Sequence, residues 1–207
     1  MPRMPIRLAA FDLDGTLIRD RTCIEAVVGS IGRSDEAAAF ESLDVRDLEA
    51  MTSAREAMAE WFRASATDML LRDVRTLALA PGTEEAFALL RRHDVSTAIV
   101  SLTWKPAVDW FARRLGADSA VGTSHADDGI HHVWPEDKGR WLEETSAKLG
   151  LERREVAAIG DSEGDREMLA AAGFRIYIGE RPFDLPDLQH MPGADMYDVA
   201  RRILEQP

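Results

Sequence analysis

Asp12 and Asp14 stand one residue apart behind the apolar run RLAAF (residues 7–11), and Gly15-Thr16 follows them. Two carboxylates at the tip of a buried strand are costly to desolvate, so they require a cation, a donor cluster or a substrate to compensate them. A second acidic stretch, GDSEGD at residues 160–165, follows the apolar VAAI and adds Asp161 and Asp165. Carboxylates gathered at adjacent strand tips repel one another unless a hard cation sits among them, and an all-oxygen ligand set of this kind suits Mg²⁺. Such an ion keeps positions for water and for a substrate phosphate. Ser101, ending the apolar run VSTAIVS, supplies a hydroxyl, and Lys138, at a helix start, supplies a mobile cation. Together they could cradle a phosphoryl group and balance its charge, the main task in phosphoryl transfer. A carboxylate aimed at phosphorus can serve as a nucleophile and form an aspartyl phosphate. A second carboxyl two residues away could protonate the leaving oxygen and later take a proton from water.

The elements that must position these groups follow from apolar patterning. Residues 7–11 read as a buried strand ending in an Asp-Gly turn. From residue 20 to about residue 80 the chain is rich in Ala, Glu, Arg, Met and Leu without a β-branched run, which predicts a set of helices. One of them carries Ala54, Ala57, Met58, Trp61 and Phe62 at helical spacing. After Pro81-Gly82 the pattern alternates: helix 83–93, strand 95–101, helix 106–115, a hairpin over 120–133 turning at Asp127-Asp128-Gly129, helix 138–149, strand 156–159, helix 165–172 and strand 175–178. Alternating strands and helices imply parallel βαβ units, hence an α/β fold with an open sheet and helices on both faces. Ligands in such sheets bind outside the carboxyl ends of the strands, where Asp12, Ser101 and Asp161 should converge.

The chain's 207 residues are 45% hydrophobic and 30% charged, enough for a full domain with an insert. A formal net charge of −12 argues against nucleic acid as a partner, because phosphate backbones are bound mainly through Lys and Arg. The one cysteine, Cys23, excludes an internal disulfide and reads as a small buried residue. The first residues carry too short an apolar run for a signal peptide, and no stretch approaches the ~20 apolar residues of a membrane helix, so a cytoplasmic protein is expected. His125, His131 and His132 lie near Asp127 and Asp128, but adjacent strand residues point to opposite faces, which disfavours a shared metal and favours a surface reading.

DLDGTL at 12–17, Ser101 after an apolar strand, Lys138, and GDSEGD at 160–165 together resemble the four ordered motifs of the haloacid dehalogenase-like hydrolase superfamily. That resemblance implies a Rossmann-like, mainly parallel core of residues 1–19 and 81–207. Residues 20–80 would form a helical cap like that of the phosphoserine phosphatase-like branch. It implies Asp12 as nucleophile and Asp14 as general acid/base. Ser101, Leu102 and Lys138 would bind phosphate. Mg²⁺ would be held by Asp12, Asp161 and the Asp14 backbone carbonyl, with Gly15, Thr16 and Asp165 in support. Asp165 would either support the metal or orient Lys138. The expected activity is hydrolysis of a small phosphorylated metabolite, by a monomer or homodimer. Transfer to an acceptor other than water is an alternative, and a non-catalytic binding module a less favoured one. A closing cap excludes water and reads the leaving group, which places specificity in residues 20–80. Phosphoserine phosphatases carry Ser-Gly-Gly where this chain has Ser101-Leu102-Thr103-Trp104, and Trp104 could narrow the pocket. Asp20, Arg21 and Glu25 are loose matches for the branch's substrate-reading acid, while Arg46, Arg55, Arg63, Arg72 and Arg75 are unranked anion readers.

Overall fold

The computed structural model describes residues 5–206; residues 1–4 and 207, at the ends of the expected core segments, lie outside the described residues. Seven strands among those described form one sheet in the order β4-β3-β2-β1-β5-β6-β7. They are β1 (Leu8–Phe11), β2 (Ser96–Trp104), β3 (Ser119–Ala126), β4 (Gly129–His131), β5 (Val156–Gly160), β6 (Phe174–Tyr177) and β7 (Leu188–His190). All neighbours run parallel except the β3–β4 hairpin, so the expected mainly parallel α/β sheet is the fold.

Between β1 and β2 come helices α1 (Cys23–Ser30), α2 (Ser34–Glu41), α3 (Leu48–Arg63), α4 (Thr67–Leu70) and α5 (Thr83–Arg92). The rest are α6 (Lys105–Leu115), α7 (Pro135–Lys148), α8 (Arg166–Ala171) and α9 (Met196–Leu204). Alternate residues of the strands serve opposite faces. Ala9, Phe11, Ile99 and Ile159 pack with residues of α1, α5, α6 and α9, whereas Leu8, Ala10, Ala98, Val100 and Ala158 pack with α7 and α8. Because both faces are covered, the central strands read as continuous apolar runs.

Local chemistry sets where the inserted helices begin. Thr22 and Glu25 form a reciprocal capping box on α1, and the Asp47 carboxylate accepts from Ala50 N on α3. The buried face of α3 is Met51, Arg55, Met58 and Ala59, rotated from the expected face, since Ala57 is exposed. Trp104, expected only to narrow a pocket, anchors the insert: it packs with Ile24, Val28, Met58 and Ala59, and Phe62 meets it edge-on at 4.9 Å.

Two boundaries and two elements depart from expectation. β2 runs on to Trp104, pairing irregularly with β3 beyond Val100. α7 starts at Pro135, because proline suits the first helical turn. Neither β7 nor α9 is among the expected elements: β7 completes the sheet edge, and α9 buries Met196, Val199, Ala200 and Ile203 at the helical spacing i, i+3, i+4, i+7.

Phe87 of α5 is buried against the Phe11 ring, with centroids 5.1 Å apart. Phe87→Ala is expected to cost about 3–5 kcal/mol, seen as a lower urea midpoint at unchanged m-value.

Candidate active site

Strand register brings the chemistry together. Phe11 pairs with Ile99 on one side and Ile159 on the other, so these three residues stand level across the central strands. Asp12 stands one residue past that line, and Ser101 and Asp161 stand two past it. These side chains meet in one cavity of about 310 Å³, which Asp14, Gly15, Lys138 and Ser162 also line.

Lys138 lies in the first turns of α7, 1% exposed, where its Nζ donates to Asp12 Oδ1 at 2.6 Å and to Asp165 Oδ1 at 2.5 Å. The expectation of a mobile cation is corrected: a buried ammonium requires paired acceptors, and two carboxylates pin this one. Asp165, itself fully buried, turns Oδ2 to the backbone N–H groups of Asp161 and Ser162, at 3.0 and 3.1 Å. Of the two roles foreseen for it, the geometry favours orienting Lys138 and the 161–162 loop.

Thr16 Oγ1 donates to Asp161 Oδ1 at 2.8 Å. Gly15 has φ +86°, and a Cβ there would collide with the Asp161 carboxylate, so both backbone and space demand glycine. Cys23, buried as expected, offers its N–H to Asp14 Oδ1 at 2.5 Å from the first position of α1. Ser101, 1% exposed, accepts the N–H of Thr103 at 3.2 Å, which leaves its own proton to donate.

One oxygen each from Asp12, Asp161 and Asp165 lies within 4.8 Å of the others, and the Lys138 ammonium bonds two of the three residues. Desolvation, reinforced by the Asp165 charge, raises the Asp12 carboxyl well above its usual range. The same two causes push Asp161 up to about 6. Desolvation pushes Asp14 up to about 7. Burial works to lower the Lys138 pKa, but the Asp12 and Asp165 charges outweigh it and hold the ammonium above its ordinary value. Asp12 and Asp161 each keep one oxygen to which no described residue donates. A surplus of negative charge in an all-oxygen set fits a hard divalent cation.

The far wall is shared. Thr22, Phe40, Glu41, Val45, Met51 and Arg55 come from the helical insert, and Leu102, Thr103 and Trp104 from the end of β2. Of the five arginines left unranked, Arg55 alone lines the cavity among the described residues; it is 2% exposed. Its Nη2 donates to Leu102 O at 3.1 Å and Val133 O at 3.2 Å, and no carboxylate among the described residues pairs with it. Burial lowers its pKa to about 10. Arg46 bonds Glu136 and Glu167 across the surface, Arg63 bonds Glu60 and His125, and Arg72 and Arg75 pair with Asp73 and Asp68. Asp20 and Arg21 are exposed, and Glu25 is committed to the α1 cap. The wall acid is instead Glu41, which accepts from Thr22 Oγ1 at 2.7 Å and which sequence reasoning missed. Arg55 was findable: it falls between Met51 and Met58 in one apolar stripe of α3. His125 and His131 are exposed as expected, but His132 is partly buried, stacked on Trp134.

A model of the family described as haloacid dehalogenase-like hydrolase matches residues 9–170. The chain belongs to that family. Within these hydrolases it is similar to a phosphoserine phosphatase of Streptomyces coelicolor, at 31% identity over 85% of this chain and 45% of the relative. It is also similar to a phosphoglycolate phosphatase of Methanothermobacter thermautotrophicus, at 42% identity over 47% of this chain and 43% of the relative. The chain therefore spans under half the length of either curated relative. A crystal structure of phosphoserine phosphatase in apo form shares the hydrolase fold with a TM-score of 0.71, at 19% identity over 95% of this chain and 98% of the other. No helix among the described residues is long and apolar enough to cross a membrane.

Lys138→Met leaves the buried carboxylates without their cation. A loss of about 3–5 kcal/mol at pH 7 is expected. Without the Lys138 charge, which lowers both, Asp12 and Asp161 have folded pKa values raised further above their unfolded ones, so the variant's penalty is largest above the folded values and shrinks as pH falls toward the unfolded ones. Denaturant unfolding of both proteins at pH 7 and pH 5 checks the magnitude and the sign.

Proposed function

We propose that this chain is a Mg²⁺-dependent phosphatase that hydrolyses a small phosphomonoester through an aspartyl phosphate on Asp12. The observation that carries the reading is the cavity floor, where Lys138 pins one oxygen of Asp12 and one of Asp165 with Asp161 close by. With Oδ1 held, the other Asp12 oxygen is the one to attack phosphorus; an O–P bond forms as the ester O–P bond breaks. Asp14, with a carboxyl pKa of about 7, holds a proton for the leaving oxygen. It then takes a proton from the water that attacks phosphorus, and cleavage of the Asp12–phosphoryl bond releases phosphate. Ser101, Lys138 and the backbone of Leu102 cradle the phosphoryl oxygens throughout. Bound Mg²⁺ would be held by Asp161, the Asp14 backbone carbonyl and the Asp12 oxygen that does not attack, with Gly15 and Thr16 shaping the loop, and would neutralise phosphoryl charge.

Residues 20–80 act in this reading as a cover that excludes water over the core formed by 1–19 and 81–207. A volume of about 310 Å³ sits at the lower end of ligand pockets and suits a small leaving group. A buried guanidinium with no carboxylate beside it is poorly compensated, so Arg55 reads an anionic group on the alcohol. Phosphoserine and phosphoglycolate, the compounds named for the two relatives, both carry a carboxylate.

Phosphate release from a panel of phosphomonoesters, with Mg²⁺ and with chelator, tests this. Release is expected with Mg²⁺ only and at background for Asp12→Asn, while Asp14→Asn loses roughly 10²–10⁴ in kcat. No release from any ester by folded protein would refute the reading. Arg55→Met is expected to raise KM for carboxylate-bearing esters roughly thirtyfold, since it unpairs a buried charge interaction, with a smaller fall in kcat.

A further inference from the structure

Arg55 belongs to the helical insert, yet its guanidinium is held by groups outside it. Besides Leu102 O and Val133 O, its Nη1 meets His132 Nδ1 at 3.3 Å, and its Cζ lies 4.3 Å from the centre of the Trp134 ring. The His132 and Trp134 rings are stacked, 4.7 Å apart and 13° from parallel. A fully buried Thr123 closes the frame: its hydroxyl donates to Leu102 O at 3.0 Å and accepts the N–H of Val133 at 3.1 Å. The two carbonyls that receive Arg55 are thereby fixed relative to each other. Neither His132 nor Trp134 lines the cavity, so neither ring is placed to touch a ligand.

We infer that residues 132–134, between β4 and α7, are a positioning element that aims the Arg55 guanidinium at an anionic leaving group, and so share in substrate selection. This rests on the reading of Arg55 given above. A guanidinium lying over an aromatic face presents its N–H groups at its edge. Three of Arg55's five N–H donors are engaged by Leu102, Val133 and His132, which leaves Nε–H and one Nη1–H, on different edges of the group, so an incoming carboxylate meets one donor. Accepting from Arg55 requires the Nδ1 lone pair of His132, and desolvation lowers the His132 pKa, which favours the neutral ring. Specificity expected in residues 20–80 alone is thus divided: the insert carries the cation, and the segment leading into the Lys138 helix sets its direction.

Two phosphonates that cannot be hydrolysed separate this inference from the hydrolase reading. In 3-phosphonopropionate a methylene replaces the bridging oxygen of phosphoglycolate; propylphosphonate keeps the size without the carboxylate. Calorimetric titration with Mg²⁺ present should show wild type preferring 3-phosphonopropionate. Trp134→Leu should raise its Kd roughly five- to twentyfold, the span of a desolvated cation–π contact, and leave propylphosphonate within about twofold. Trp134→Phe, which keeps an aromatic face, should recover most of the loss. A parallel rise in both Kd values would mark a merely structural residue and overturn the inference, as would no change in either. Equal wild-type affinity for the two phosphonates overturns the anion reading of Arg55, and this inference with it. Binding of neither removes the phosphate site on which both depend.

Discussion

A single buried ammonium placed between two aspartates is the constraint on which the site depends. Lys138 reaches Asp12 at the end of β1 and Asp165 just after β5, joining two neighbouring strands to the first turns of α7. Removing one charge from such a set leaves the others uncompensated in low dielectric. The requirement explains the close fit around it: Asp165 spends its second oxygen on two backbone N–H groups, and Thr16 steadies Asp161. What is left is an excess of negative charge directed at the cavity, with Asp12, Asp14 and Asp161 all raised above ordinary carboxylates.

The sheet makes the convergence possible, and the insert supplies much of the cavity's far wall. Parallel register levels β1, β2 and β5, so residues scattered from 12 to 165 share one plane beyond the strand ends. Over that plane the helices supply both apolar walls and a cation, and they are tied to the core at Trp104 through packing and at Arg55 through hydrogen bonds. Asp14 shares in the tie, since its carboxylate accepts from the first residue of α1. The group proposed to move protons is thus in contact with the element proposed to cover the site.

The site's floor was legible in the sequence because its signals are local. An apolar run, then an acid, then Gly-Thr or another acid, marks a strand tip with chemistry on it, and the alternation of elements orders those tips into a parallel sheet. The wall was much less legible, because it depends on how helices turn toward a partner. Arg55 is one of several insert arginines until the burial of Met51 and Met58 identifies its face, and Glu41 lies at the end of a weakly patterned helix. Lys138 was recognised, but its immobility depends on acceptors 27 and 126 residues away. His132 was read as surface, since its stacking on Trp134 and the cation beside both rings are tertiary facts.

The most direct test of the central claim is acid quench of the Mg²⁺-loaded protein during turnover of a ³²P-labelled phosphomonoester, followed by peptide mapping. The account predicts radioactivity bound covalently to the protein, released by neutral hydroxylamine as an acyl phosphate, and located on the peptide that holds Asp12. Label on a different residue would contradict it, as would sustained turnover by Asp12→Asn at the wild-type rate.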